Sequence, residues 1–355
     1  MKLNKNPGEG PRELETVGAV DLHFHGAFGI DLMSASPKQL NELSSELWKS
    51  GLAGFCATTV TTTPKDLRET VVRLGRWIRS DQFPGAKPFG IHLEGPWIGP
   101  HMSGAHPTPL VRKLNPDELE ALWVASQGTL KIITLAPEEI STLKLRQLIK
   151  WCNPRGILLS AGHSKATFEQ AKKAFDLGIR GVTHAWNALA YHHREPGVLG
   201  AALGNREIYL ELIVDQIHIS RPWIRLTRAL HPSHSVCLIS DCAAAAGHSR
   251  NPRWSTLGRL KVHFQAGASR TSTGMLAGGG LLLPESYCRW AEAEARDLSC
   301  SIREILLRSV HQLTRVPARI LGLKPRQLAD RKVVWEIRNE RKLRVIPIDS
   351  RSSAR

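Results

Sequence analysis

Eight short apolar, β-prone segments recur along this chain, and most are followed by a stretch with helical punctuation. They are Val17–Phe24, Gly54–Thr61, Pro88–Leu93, Leu130–Leu135, Gly156–Ala161, Ile179–His184, Ile208–Val214 and Val236–Ser240. Eight strands that alternate with helices predict an α/β fold of the (β/α)8 barrel type. An open doubly wound sheet is the competing architecture. That fold favours a GxGxxG motif after its first strand, and the sequence there, HGAFGID, does not match it.

Several predicted helices begin at a capping side chain followed by proline. Ser36-Pro37 and Thr63-Pro64 both have this form, in which the polar side chain bonds a free amide of the first turn and proline occupies the first helical position. Ser164 is expected to cap a further helix over Lys165–Leu177. These starts separate the predicted strands as a barrel requires.

The predicted barrel covers residues 17–321, with a hairpin insertion near 254–280. The runs LGRLKVHFQ and TSTGMLAG form that insertion. Residues 1–16 together with the alternating segment 322–349 are expected to form a small, reduced β domain, and 350–355 a basic tail.

The chain of 355 residues carries a formal net charge of +16. The simplest interpretation is a well-solvated, Arg-rich surface. Steering of an anionic ligand is the second interpretation, and nucleic-acid binding a distant third, since there is no long basic run and the aromatic content is only 6%. The six cysteines form no CxxC pair, and neither a secretory h-region nor a membrane span is evident, so a cytoplasmic location is the expectation.

His23 and His25 close the first strand, and alternate residues of a strand face the same way. Two imidazoles so placed can bind one metal ion, although an HxH pair also arises by chance on strands. Glu94 ends the third strand in IHLEGPW, where a carboxylate is poorly explained as core. His92, two residues earlier, is more simply a hydrogen-bonded core histidine.

Two further histidines end strands: His163 in LLSAGHS and His184 in GVTHAWN. Each alone is more often structural. Together with Glu94 they form a two-histidine, one-carboxylate set at the carboxyl ends of three barrel strands, which is the face where barrel enzymes carry their catalytic residues. Such a set suits a divalent ion, Zn²⁺ above all, with a position open to water.

Asp241 ends the eighth strand. A helix N-cap is one interpretation of this position, and a general base beside a catalytic metal is the one we favour. His218 and Asp215 follow the seventh strand, and of these two we favour His218 as a substrate contact. No GxSxG motif supports serine catalysis.

At this point the motifs resemble those of the N-acetylglucosamine-6-phosphate deacetylase branch of the amidohydrolase superfamily. The similar segments run from near residue 20 to near 280. They are VDLHFHGAFGIDLM, HLEGPWIGPHMSGAHP, SAGHSKATFEQA, THAWNALAYHHREPGVLGAAL, DQIHIS, SDCAAAAG and LAGGG. The combinations HLEGP with GAHP, and HAWNA with HHREPG, are the most specific to this branch.

The resemblance implies a metal-dependent deacetylase of an N-acetyl amino-sugar phosphate, N-acetylglucosamine 6-phosphate, that releases acetate and uses one or two divalent ions, most simply Zn²⁺. It implies Glu94, His163 and His184 as the main metal ligands, with His23 and His25 as the first pair of the superfamily. The remaining implied roles are Asp241 as the catalytic aspartate, His106 at the substrate carbonyl, Asn187 and Ala188 in the sugar-binding turn, Arg194 at the phosphate, and His218 at the substrate, reaching across a homodimer interface.

The sequence also departs from the family pattern. The HxH pair appears as early as position 23, Gln216 replaces the glycine of the Asp-Gly-Ile/Val-His motif, and Cys242 replaces the alanine after the catalytic aspartate. A metal-dependent hydrolase of a different N-acyl sugar or cyclic amide is therefore the alternative function. A non-catalytic anion or nucleic-acid binder is the third, and no membrane partner is expected.

Overall fold

The computed structural model describes residues 13–248, 254–338 and 342–348. The strands of these residues are β1 (Glu13–Val17), β2 (Ala19–Phe24), β3 (Gly26–Ala27), β4 (Ile30–Asp31), β5 (Leu52–Thr59), β6 (Lys87–Glu94), β7 (Leu130–Leu135), β8 (Leu158–Ala161), β9 (Gly181–Val182), β10 (Tyr209–Ile213), β11 (Val236–Ile239), β12 (Trp254–Leu257), β13 (Leu260–Gln265), β14 (Ala268–Arg270), β15 (Leu276–Gly279), β16 (Lys332–Arg338) and β17 (Lys342–Pro347). The α-helices are α1 (Pro37–Lys49), α2 (Pro64–Ser80), α3 (Pro116–Ala125), α4 (Thr142–Cys152), α5 (Phe168–Leu177), α6 (Gly197–Leu203), α7 (Arg221–Leu230), α8 (Leu283–Asp297), α9 (Ile302–Ser309) and α10 (Arg315–Ile320).

Eight parallel strands form the central sheet in the order β2-β5-β6-β7-β8-β9-β10-β11, which confirms the predicted barrel. Each of the eight apolar segments contributes one of these strands. Their side chains are almost all buried, as expected for strands covered on both faces. Because neighbouring strands are parallel, their carboxyl ends meet at one rim of the barrel.

The barrel closes between its first and last strands. The Asp241 N–H donates to the His23 carbonyl at 3.0 Å, and the His25 N–H donates to the Cys242 carbonyl at 3.0 Å. The buried carboxylate of Asp21 adds to this seam by accepting bonds from both the N–H and the hydroxyl of Ser240. The seam therefore holds the chain segments of His23 and Asp241 side by side.

The helix starts at Ser36-Pro37 and Thr63-Pro64 lie where they were predicted, with both hydroxyls accepting from the third residue of the helix. The predicted cap at Ser164 is wrong. Helix α5 begins at Phe168, because Thr167 and Gln170 bond each other reciprocally in a capping box. The Ser164 hydroxyl instead donates to Glu138 at 2.6 Å.

Two small sheets flank the barrel. The insertion over 254–280 consists of four antiparallel strands, β12-β13-β14-β15, where the sequence predicted a hairpin. Strands β1, β16 and β17 form the small β appendage around the fully buried Trp335. The predicted tail at 350–355 lies outside the described residues. Among the described helices, none is both long and apolar enough to cross a membrane.

Candidate active site

Polar side chains gather at the rim formed by the carboxyl ends of the barrel strands. Glu94 is the last residue of β6, and His163, His184 and Asp241 each lie two residues beyond β8, β9 and β11. These last three have left-handed backbones, with φ of 48°, 31° and 51°. A side chain in that region costs of order 1 kcal/mol or more, and such residues cluster at functional sites.

Glu94 lies at the centre of this group and is only 3% exposed. Its Oε1 is 3.2 Å from the Nε2 of His163, 3.0 Å from that of His184 and 3.3 Å from that of His23. Its Oε2 is 3.4 Å from the Nε2 of His25. The structure thus brings together all five residues predicted from the sequence as metal ligands.

The donor set fits a divalent cation. The Nε2 atoms of His23 and His25 are 3.1 Å apart, and those of His163 and His184 are 3.0 Å apart, so imidazole nitrogens face one another. A cation shared between facing lone pairs satisfies both members of such a pair. Imidazole nitrogen and carboxylate oxygen in a buried group are the ligands that Zn²⁺ and related ions prefer.

Both carboxylates of the cluster stay ionised. Burial acts to raise the pKa of Glu94, but the surrounding imidazoles, His23 foremost, hold it well below its ordinary value. Burial is again outweighed at Asp241, whose pKa is lowered by His23 and His25. Asp241 Oδ1 lies 3.3 Å and 3.2 Å from their Nε2 atoms, and its side chain is 13% exposed to the cavity. No described helix begins at Asp241, so the N-cap interpretation does not hold there.

His106 completes the group from the loop after β6. Its Nε2 is 3.1 Å from Glu94 Oε2. Its Nδ1 faces Thr61, at 3.1 Å from the backbone nitrogen and 2.8 Å from Oγ1. Burial lowers the pKa of His106 to about 4, so the ring is neutral near pH 7.

These residues open into a cavity of about 380 Å³. Its lining residues are His25, Glu94, His101, Met102, Gly104, Ala105, His106, His163, His184, Asn187, Ala188, His218, Asp241, Leu257, Met275, Leu276, Ala277 and Gly278. The carboxyl ends of the barrel strands form the floor, and strands of the insertion form one wall. The arrangement can hold a small polar substrate beside a cation and a carboxylate base.

Comparison with known proteins decides the family. The chain is 33% identical to the N-acetylgalactosamine-6-phosphate deacetylase of Escherichia coli O157:H7 over 312 residues, which are 88% of this chain and 79% of that protein. It is 32% identical over 286 residues to the N-acetylglucosamine-6-phosphate deacetylase of Bacillus subtilis (strain 168), covering 78% of this chain and 71% of that protein. The chain belongs to the N-acetylglucosamine-6-phosphate deacetylase family.

A solved structure extends the similarity to three dimensions. The crystal structure of the N-acetyl-D-glucosamine-6-phosphate deacetylase from Mycobacterium smegmatis superimposes with a TM-score of 0.83 at 29% identity, covering 98% of this chain and 90% of that one. No family model matched the chain. The predicted membership and fold are therefore confirmed.

His218, in the altered family motif, forms a buried ion pair. Its Nδ1 is 2.7 Å from Asp215 Oδ2, and Gln216 between them has a left-handed φ of 66°. Glycine, which the resembled motif carries at this position, adopts such a backbone without strain. Gln216 therefore holds this turn at an energetic cost.

Arg194 does not line the cavity, in contrast to the phosphate contact that the family motif implies. It is exposed on a turn closed by hydrogen bonds between His192 and Glu195. Glu195 Oε1 accepts from the Phe168 N–H at 2.7 Å and so ties this turn to the start of α5. The turn thereby holds Arg194 on the outer surface of this chain.

Two residues behind the site, Glu211 and Thr61, were not predicted from the sequence. Glu211 Oε2 lies 3.2 Å from His23 Nδ1 and accepts from the His184 N–H at 3.4 Å. A charged residue inside the apolar segment Ile208–Val214 was the available signal. Thr61 carries no comparable signal, because its role depends on a contact with His106 across 45 residues of sequence.

Proposed function

We propose that this chain hydrolyses the acetamide of N-acetylglucosamine 6-phosphate to glucosamine 6-phosphate and acetate, a step of amino-sugar breakdown. It is a hydrolase of an amide C–N bond. The observation that carries the proposal is the juxtaposition, in a member of this family, of an ionised Asp241 with the buried cluster around Glu94. A carboxylate base beside a cation-binding group is what amide hydrolysis near neutral pH requires.

The metal in this proposal is a divalent cation, most simply Zn²⁺, as one ion or two. Glu94, His163 and His184 would hold the main ion, and His23 and His25 would contribute to the same ion or hold a second one. When bound, such a cation acts as a Lewis acid towards water and the acetamide carbonyl.

Asp241 moves the proton. It takes one from the attacking water as the new C–O bond forms at the acetamide carbon, and delivers it to the nitrogen as the C–N bond breaks. The amine leaves neutral, Asp241 is a carboxylate again, and the acyl group leaves as acetic acid, which loses its proton to solvent to become acetate, so atoms and charge balance. Backbone bonds to the carbonyl of His23 and from the N–H of Gly279, at 3.0 Å and 2.7 Å, keep Asp241 in place.

Sugar and phosphate would lie towards Asn187, Ala188 and His218. The bond to Asp215 raises the pKa of His218 and so favours its imidazolium form, and a cation of this kind pairs with phosphate. Arg194 would meet the phosphate only from a neighbouring subunit or after movement of its turn.

We extend the proposal to a homodimer. Helix α7 exposes Trp223, Leu226 and Leu230, whose spacing puts them along one face, and Tyr191, three residues before Arg194, is also exposed. Exposed apolar side chains aligned on one helix face are typical of a subunit interface.

Acetate release tests the function. The protein is loaded with Zn²⁺ and offered N-acetylglucosamine 6-phosphate, its galactosamine epimer, and unphosphorylated N-acetylglucosamine. The epimer is included because the Escherichia coli relative is named for it. Turnover of the glucosamine phosphate at the highest kcat/KM supports the proposal. Preference for the epimer reassigns the sugar, and no acetate from any of the three rejects the function.

A further inference from the structure

The imidazoles around Glu94 differ in the hydrogen-bond partner of their Nδ1 atom, the ring nitrogen that points away from Glu94. His163 Nδ1 is 2.8 Å from the carbonyl oxygen of Met102, and His23 Nδ1 is 3.2 Å from a carboxylate oxygen of Glu211. Both partners are acceptors, so Nδ1 carries the proton in each ring and Nε2 presents a lone pair towards Glu94. This is the tautomer of a metal ligand.

His106 has the opposite environment. Its Nδ1 faces the backbone nitrogen of Thr61 at 3.1 Å and the Thr61 hydroxyl at 2.8 Å. A peptide N–H can only donate, so the Nδ1 of His106 must be the acceptor. In a neutral ring the proton is then on Nε2, which points at Glu94 Oε2 from 3.1 Å.

We propose that Thr61 is a positioning residue that fixes His106 as its Nε2–H tautomer, so that His106 donates a hydrogen bond to the acyl oxygen and stays outside the metal-ligand set. Proximity alone does not separate these roles, because His106 forms a group of metal-binding geometry with Glu94 and His163. The hydrogen-bond partner of Nδ1 does separate the two roles, because it is an acceptor for His163 and His23 and a donor for His106. The part that concerns the acyl oxygen rests on the proposed function; the tautomer does not.

The fold keeps Thr61 tightly placed. Thr61 lies two residues beyond β5 and is 1% exposed. Gly95 packs directly against it, since a Cβ at Gly95 would lie 2.3 Å from the Thr61 hydroxyl oxygen. Gly95 also has a φ of 71°, which favours glycine. The hydroxyl is therefore confined between Gly95 and His106.

Substitution of Thr61 is the kinetic test. Thr61→Val keeps the shape and the backbone N–H but removes the hydroxyl, and kcat should fall roughly fivefold, as expected for one lost hydrogen bond in the transition state. KM should change less than about twofold, and bound metal should not change. Thr61→Ser should restore kcat to within about twofold. Thr62→Val is the matched control with unchanged kcat, because the Thr62 hydroxyl bonds Asp66 of α2.

Two outcomes would overturn the positioning role. One is a Thr61→Val enzyme with wild-type kcat. The other is a variant in which bound metal and thermal stability fall together with kcat and are not rescued by serine, because that pattern indicates a structural role only.

The tautomer has a readout independent of substrate. Long-range ¹H–¹⁵N spectra of the metal-loaded protein, with His106→Gln to assign the resonances, should show a bare Nδ1 and a protonated Nε2 for His106. His163 should show the reverse. A proton on the Nδ1 of His106, or loss of its Nε2 proton on metal loading, refutes the inference. If no acetate is released but the spectra agree, the proposed function fails and the tautomer assignment stands.

Discussion

The Nδ1 of His218 lies 2.7 Å from Oδ2 of Asp215, and both side chains are almost fully buried. Burial acts to lower the pKa of His218, but the bond to Asp215 raises it above the usual 6.5. Burial likewise acts to raise the pKa of Asp215, and His218 lowers it below 3.8. The histidine contribution to stability is complete below pH 6.5 and lost as pH rises through its folded pKa. The contribution of Asp215 to stability is complete above pH 3.8 and is lost as pH falls through the folded pKa of Asp215.

The state of this pair predicts how substrate affinity depends on pH. KM for N-acetylglucosamine 6-phosphate should rise roughly tenfold as pH increases through the folded pKa of His218, because a charge-assisted bond to the phosphate is lost. KM for the unphosphorylated sugar should stay flat. Asp215→Asn should move the inflection to lower pH. An inflection that does not move in this variant excludes His218 as its source.

Removing the negative charge of the acceptor behind His23 should weaken metal binding. In Glu211→Gln the carboxylate that orients this ring is lost, and metal affinity should fall about 10- to 100-fold. Competition with a chromophoric chelator measures the affinity without substrate. The exposed Glu207, four residues earlier, provides the matched control Glu207→Gln, which should bind metal normally. Equal affinities of the two variants would contradict the orienting role.

Asp241→Asn tests the proton-transfer assignment. Without a carboxylate base, kcat should fall by about a thousandfold, since general acid–base catalysis contributes roughly 10² to 10⁴. Acetate release measured beside bound-metal content separates this loss from loss of the metal. A variant that retains metal and more than about a tenth of the activity would show that another group moves the proton.

Gln216 stores strain that a glycine would relieve. Gln216→Gly removes a left-handed cost of about 1–2 kcal/mol, part of which is offset by about 0.4–1 kcal/mol of greater chain entropy in the unfolded state. The net gain of up to about 1.6 kcal/mol should raise Tm by up to roughly 2 °C in calorimetry. Gln82→Gly, at a glutamine without the left-handed backbone, should lower Tm instead. A lower Tm for Gln216→Gly would mean that its side chain makes a stabilising contact.

The barrel and the cluster around Glu94 were predictable because each depends on local signals. Apolar segments indicate strands, and a histidine or carboxylate at the end of such a segment, as at His163 or Glu94, is placed at the rim by the parallel order of the strands. Thr61 and Arg194 were not predictable in this way. Their roles depend on the direction that a loop takes after leaving its strand, which distant contacts determine.

The start of α5 was unpredictable for the same reason. Ser164 and Thr167 are both acceptable caps from local sequence. In the structure Glu138, 26 positions before Ser164, accepts bonds from the Ser164 hydroxyl and the Lys165 N–H, and the helix begins after Thr167. The local sequence is compatible with a helix start after either residue, and the folded structure has the start after Thr167.

The seam between β2 and β11 has a consequence for how the protein is made. His23 and Asp241 come from opposite ends of the barrel sequence and lie together because Asp21 and Ser240 join those strands. The proposed metal ligands, the last of which is His184, are all synthesised before Asp241, so a nascent chain on the ribosome has no carboxylate base beside them until the eighth strand has left the exit tunnel. Proton transfer by Asp241 therefore requires a closed barrel, and translation products truncated before Asp241 should release no acetate.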